Sequence, residues 1–180
     1  MQTMMLSFRR RNTIQGFTLV ELTIVVVLIG ILAGVAVPSI ALVRETTQAS
    51  AIAKELRIYE EAFNRYDLDR GSRPTGVFGW SFLSSQMEPY LEGTGFDRVG
   101  EYGQIYYYFG WPLYVSGERV ETSILMFKQI NEFRIGPYRG SDRNVMRRVD
   151  GILDDGDLST GDFILAFNAY PLYKLTTSDN

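Results

Sequence analysis

"GFTLVELTIVVVLIGILAGVAVPSIALV", residues 16–43, carries a single charge, Glu21, and the next charged residue is Arg44. The 22 uncharged residues from Leu22 to Val43 would make about 33 Å of helix at about 1.5 Å per residue, enough for a hydrocarbon core of about 30 Å. A carboxylate at membrane depth costs about 2.5–3.5 kcal/mol on insertion scales, so Glu21 needs a partner or a place at the interface. Upstream stand Arg9, Arg10 and Arg11, with no acid before Glu21. A secretory signal would have a shorter apolar run. A plain anchor fits the length and would keep the arginines cytoplasmic, but it leaves Glu21 unexplained.

The rest of the chain bounds the chemistry. Of 180 residues, none is cysteine or histidine. Disulfides, thiolate nucleophiles, structural zinc sites and imidazole bases are therefore excluded. Without the three leader arginines, 15 basic side chains face 21 acidic ones. Such a balance is poor for general nucleic-acid binding unless the basic groups cluster. No catalytic constellation is legible, and no enzyme activity is expected.

A short basic leader followed by Gly16-Phe17-Thr18-Leu19-Val20-Glu21 resembles the cleavage and methylation motif of type IV prepilins and type II secretion pseudopilins. The resemblance implies a cut by prepilin peptidase between Gly16 and Phe17, on the cytoplasmic side, and N-methylation of Phe17. Glu21 matches the family's acidic residue, five positions into the mature chain. The new ammonium at Phe17 would lie one helical turn from Glu21, so the two charges compensate within a subunit or between neighbours. An anion in the first turn also suits the helix dipole.

Gly30, Gly34 and Pro38 lie at four-residue spacing on one helical face. Small residues so placed let helices approach closely in lipid, and Pro38 cannot donate to the Gly34 carbonyl. The resemblance implies loss of helical form near such a segment in assembled filaments; routine tolerance of Gly and Pro in membrane helices is the other reading. Beyond Val43, Ile52, Leu56, Tyr59, Phe63 and Tyr66 form one apolar stripe at helical period. The spacing predicts continuation of the same helix to about Asp69, stopped by Gly71.

The remainder holds nine of the eleven tyrosines and both tryptophans. Tyr66 to Gly79 reads as a loop. Strand signals cover 104–117, 119–127 and 162–175, which predicts an antiparallel sheet of three to five strands packed on the helix. Residues 141–149 read as a short helix capped by Ser141, with Asp142 and Asp150 flanking it. Arg134, Arg139, Arg143, Arg147 and Arg148 cluster there; a solvated or inter-subunit salt-bridging face is the expected use, with nucleic acid not expected. Asp150, Asp154, Asp155, Asp157 and Asp162 follow. Some pseudopilins bind calcium in a head loop, but an EF-hand counted from Asp155 fails, because its glycine falls late at Gly161 and Ala166 replaces the closing glutamate. A turn of these residue types needs no metal. No cofactor is expected, and calcium at the Asp150–Asp162 loop is the alternative.

The fold expected is α+β and pilin-like: leader 1–16, transmembrane and filament-core helix 17–43, amphipathic helix 44–70, and globular head 71–180. By resemblance, the partners are the prepilin peptidase and methyltransferase, homologous pilin subunits, an inner-membrane assembly platform, and the membrane before assembly. The implied location is the bacterial inner membrane, crossed once with the leader cytoplasmic and the head outside, then a periplasmic or extracellular filament. The function implied is a structural subunit of a type IV pilus-like filament or a type II secretion pseudopilus. A minor pilin acting as an adhesin or DNA-uptake receptor at a filament tip is the alternative.

Overall fold

A computed structural model describes residues 16–79, 82–115, 117–131, 134–138, 140, 142–167 and 169–175. The leader before Gly16, Arg139 and the expected cap Ser141 lie outside the described residues. Helix α1 runs from Leu19 to Arg70 without interruption, through Gly30, Gly34 and Pro38. It ends where the periodicity predicts. Gly71 takes φ 72°, and its N–H donates to the Asp67 carbonyl at 2.7 Å, the left-handed stop that glycine adopts without a Cβ clash. Two units divide this helix, one reaching Ala41 and the other beginning at Leu42.

In the first unit, every described side chain from Gly16 to Ala41 is exposed. This part of α1 belongs to the one described helix that is long and apolar enough to cross a membrane. Neither Gly30 nor Gly34 has any atom near its missing Cβ. Thr23, Ser39, Thr46 and Thr47 on α1 return their hydroxyls to carbonyls three or four residues back, so these hydroxyls need no water.

The second unit is an α+β head built on the other half of α1. Strands β1 (Val77–Gly79), β2 (Gln104–Phe109), β5 (Ser123–Asn131), β7 (Phe163–Ala166) and β8 (Tyr170–Lys174) form an antiparallel sheet in the order β1-β2-β5-β8-β7. Short β6 (Arg134–Gly136) pairs the far end of β5, and β3 (Leu113–Val115) with β4 (Glu118–Val120) makes a separate hairpin. Helix α2 (Glu88–Leu91) lies between β1 and β2, and α3 (Asp142–Leu153) precedes β7.

The stripe on α1 is buried as its period predicts: Ile52, Leu56, Tyr59, Phe63 and Tyr66 all face the core. Strand alternation supplies the opposing surface. Tyr106 and Tyr108 of β2 point inward with Ile124 and Met126 of β5, while Tyr107 and Phe109 stay half-buried on the other side. Phe63 stacks on Tyr108 with centroids 4.4 Å apart, and Tyr59 meets Phe96 edge-on at 5.0 Å. Each such side chain contributes about 1.5–3 kcal/mol by leaving water. Polar contacts fix the register of helix on sheet. Glu55 accepts from Tyr106 Oη at 2.6 Å and from Gln104 Nε2 at 2.9 Å, and Glu60 accepts from Tyr173 Oη at 2.8 Å. A second apolar cluster, with Val115, Val120, Leu125, Ile164 and Leu172, lies on the outer face of the sheet.

Local expectations differ from the structure in three places. The 66–79 loop is shorter than predicted, because α1 continues to Arg70 and β1 occupies Val77–Gly79. The 119–127 stretch divides between β4 and β5, which belong to different sheets. Asp142 and Asp150 do not flank a short helix; both lie inside α3, which extends to Leu153. Val145, Met146 and Val149 bury that helix's inner face, so packing carries it past the point where the charge pattern suggested an end.

Candidate processing and assembly site

At the start of α1, Gly16, Phe17 and Thr18 are non-helical and exposed, Phe17 to 81%. Thr18 is the N-cap. Its Oγ1 accepts from the Glu21 N–H at 3.2 Å, and Glu21 Oε2 accepts from the Thr18 N–H at 2.8 Å and from its hydroxyl at 2.9 Å. This reciprocal pair is a capping box, and it satisfies two donors that a helix start otherwise leaves open. The partner expected for Glu21 from sequence is the ammonium that a cut would create, with the helix dipole in support. That expectation passes over T-x-x-E ahead of an apolar run, a signature of this cap. Glu21 therefore already has a partner in the uncut chain.

A Cβ on Gly16 would meet nothing within 4 Å. The chain's own packing does not require glycine there, so any demand for a small residue comes from something that grips this segment. Gly16 and Phe17 stand just before α1 and Glu21 in its first turn, all three exposed; Arg9 to Arg11 lie outside the described residues.

The aspartates form a second site at the C-terminal end of α3. Asp150, Asp154 and Asp155 each offer a carboxylate oxygen within 4.8 Å of the others. Asp150 is fully buried; the Gly156 N–H lies favourably toward its carboxylate, but neither oxygen completes a hydrogen bond. Desolvation, with Asp155 and Asp154 next in effect, pushes its pKa up to about 7. The surrounding turn is fixed by its own side chains. Asp155 accepts from the Asp157 N–H at 2.7 Å and from Thr160 Oγ1 at 2.8 Å, while Asp157 accepts from Ser159 Oγ at 2.6 Å. Asp154 accepts from the Asp162 N–H. Gly161 takes φ 76°, and a Cβ there would overlap the Asp154 carboxylate, so glycine is required for this closure.

A buried carboxylate that completes no hydrogen bond, beside two more, fits a hard divalent cation such as calcium, which takes carboxylate and carbonyl oxygens. Asp150, Asp154 and Asp155 would hold it. Calcium at the Asp150–Asp162 loop is the alternative read from sequence; three of its aspartates, Asp150, Asp154 and Asp155, come together here, whereas an EF-hand counted from Asp155 leaves out Asp150, which lies in α3.

The arginine cluster is partly spent. Arg148 Nε donates to Glu45 Oε2 at 3.3 Å, while Arg143 and Arg147 are exposed.

With its long helix followed by a small antiparallel sheet, the architecture is α+β and pilin-like. Residues 11–37 match the model of the prokaryotic N-terminal methylation motif, so the chain carries the prepilin-type signature. Over 74 residues it is 33% identical to type II secretion system core protein G of Klebsiella michiganensis, covering 41% of this chain and 52% of that protein. Over 71 residues it is 34% identical to the protein of the same name from Klebsiella pneumoniae, covering 39% and 51%. The chain thus spans about half the length of the curated relatives it matches. No solved structure matches it.

Proposed function

We propose that this chain is a structural subunit of a filament of the type IV pilus or type II secretion pseudopilus kind. Prepilin peptidase cuts it between Gly16 and Phe17, Phe17 is N-methylated, and the subunit assembles through α1. The observation that carries this reading is the first half of α1: an apolar helix exposed on every described side chain, headed by one carboxylate and by the matched motif. Such a surface needs lipid before assembly and other helices afterwards. Before assembly the leader is cytoplasmic and the head lies outside the inner membrane. The similarity to core protein G favours the secretion pseudopilus among the two, with an inner-membrane platform as assembly partner.

Glu21 acts in two states. In the uncut chain it closes the cap on Thr18. After cleavage its carboxylate compensates a Phe17 ammonium, its own or a neighbour's. The test is Glu21→Val in cells that assemble the filament. Insertion and cleavage should continue, with intact mass matching methylated Phe17 as the first residue, while the mature protein disappears from sheared filament fractions. A mature chain that keeps Arg9 to Arg11 would overturn the processing assignment. Mature Glu21→Val protein in filaments at the wild-type level would overturn the role of Glu21.

A further inference from the structure

Two ends of the head carry opposite, unspent charge. Helix α3 docks beside the start of the packed half of α1, where Arg148 reaches Glu45 and Arg57 Nη2 donates to the Ile152 carbonyl at 2.8 Å. Helix α2 docks beside the other end, where Tyr90 Oη donates to Asp69 at 2.9 Å and the Tyr66 and Tyr90 rings lie 5.3 Å apart. Glu45 and Asp69 are about 36 Å apart along the helix, at about 1.5 Å per residue.

At the α3 end, Arg143 and Arg147 are exposed one helical turn apart, and among the described residues neither guanidinium makes an ion pair. Like charges at this spacing repel unless an anion lies between them. Both line a cleft of about 330 Å³ whose other walls include Leu158, Ser159 and Ile164. One carboxylate, Asp157, also borders it and attracts Arg147 across the cleft, while its Oδ1 accepts from the Ser159 N–H and hydroxyl. Arg147 lines a second cavity of about 280 Å³ as well, with Glu45, Asn144 and Arg148.

At the α2 end, Glu88 and Glu92 are exposed, with no cation partner among the described residues. The Glu92 N–H donates to the Glu88 carbonyl at 3.0 Å, so these acids too are one helical turn apart. Pro89, next to Glu88 in the chain, is exposed as well. The two pairs match in spacing and are opposite in sign.

We infer that the Arg143–Arg147 cleft receives the Glu88–Glu92 turn of a second copy of this chain, joining heads end to end in a heterologous contact. Such a contact does not close on itself and repeats along a filament. It uses charges that are complementary between subunits and would repel in a reversed orientation. This contact rests on the filament reading above.

The chain has no cysteine, which makes the test direct. Full-length Arg147→Cys and Glu92→Cys are combined in one chain and oxidised in sheared filaments. A ladder of crosslinked multimers is expected from the pair, and no ladder from either single variant. In parallel, R143E with R147E should remove most sheared filament while leaving cleavage and the melting temperature of the head unchanged, because both residues are exposed. Adding E88K with E92K to the same chain should restore filament. Filaments of the double-cysteine chain that yield no ladder, or reversed charges without effect on assembly, would overturn the contact and leave the filament reading standing. Reversal that the second pair fails to rescue would overturn it too, and loss of DNA retention in that variant would assign the arginines to nucleic acid instead. Absence of any filament from the wild-type chain would remove both.

Discussion

The two halves of α1 share one secondary structure and obtain their stability from opposite sources. Between Leu19 and Ala41 every described side chain is exposed, so nothing within that unit rewards the apolar residues for being helical. Between Leu42 and Arg70 the residues at a spacing of three and four are buried by the sheet, and carboxylates between them accept from sheet tyrosines. The second half is helical because tertiary packing selects it. The first half depends on surroundings that supply no hydrogen bonds, where a helix is the one single-segment solution. Regular backbone alone therefore does not mark a core; the spacing of polar residues does. Charged residues interleave the apolar stripe beyond Arg44 and are missing from Leu22 to Val43.

The largest expected effect breaks that symmetry by cavity formation. Phe63→Ala removes a fully buried ring that stacks on Tyr108 and should cost the head about 3–5 kcal/mol. Val27→Ala in the exposed half should leave head unfolding within about 0.5 kcal/mol of wild type. Urea unfolding of the full chain in detergent, followed by tryptophan and tyrosine fluorescence, measures both. Equal destabilisation by the two variants would mean that the halves are not independent in the sense drawn here.

A somewhat smaller effect sharpens the contrast, since it arises from a charge inside the head with no counterpart in the exposed helix. Asp150 holds its proton up to about 7 when folded, against an ordinary carboxylate value of 3.8. The folded state therefore binds more protons than the unfolded state between these values, and this group's contribution to stability falls as pH rises from about 4 to about 7. The direction is a loss on the order of a few kcal/mol at most. Asp155, Asp154 and Asp157 face the same site and act in that order on Asp150. Calcium should reverse the loss at pH 8, by about 2.7 kcal/mol at a hundredfold excess over its dissociation constant, and have little effect at pH 5. Melting curves of the full chain in detergent at both pH values, with calcium and with chelator, check this. Asp150→Asn keeps the shape and removes the charge, so it should remove this part of the pH dependence across that window and abolish the calcium response. A wild-type protein indifferent to calcium at pH 8 would return the loop to the metal-free turn expected from sequence.

Most of the architecture was legible because it follows from period. The stripe from Ile52 to Tyr66, the stop at Gly71 and the alternation of Tyr106 to Phe109 all reduce to which face meets water. What escaped depended on tertiary contact. β1 is three residues at a sheet edge, too short for alternation to declare itself. α3 passes through Asp150 because its inner face is covered, and a charge pattern cannot report that cover. The acid cluster joins a helical residue to a loop, so the span Asp150–Asp162 is legible in sequence while the three members that meet are not. Glu21 is the opposite case: its cap on Thr18 follows from the local T-x-x-E sequence alone, with no tertiary contact needed.

The smallest effect separates the two uses of Glu21, in the cap and beside a Phe17 ammonium. Thr18→Ala removes the hydroxyl that accepts from the Glu21 N–H and donates to its carboxylate, but leaves the Thr18 backbone N–H in place to meet Glu21. Loss of an N-cap side chain costs about 1 kcal/mol. In the exposed half of α1 that cost should appear as fraying at Leu19 and Val20, with no change in head unfolding, because the affected turn lies in the other unit. Amide hydrogen exchange of the full chain in detergent micelles reads this directly, as faster exchange confined to the first helical turn. Thr18→Ser keeps the hydroxyl and should restore protection. If Thr18→Ala leaves first-turn exchange unchanged, the hydroxyl contributes nothing to the helix start. Glu21 would then be held by the backbone N–H alone, and its carboxylate would be freer to meet an ammonium than the two-sided cap implies.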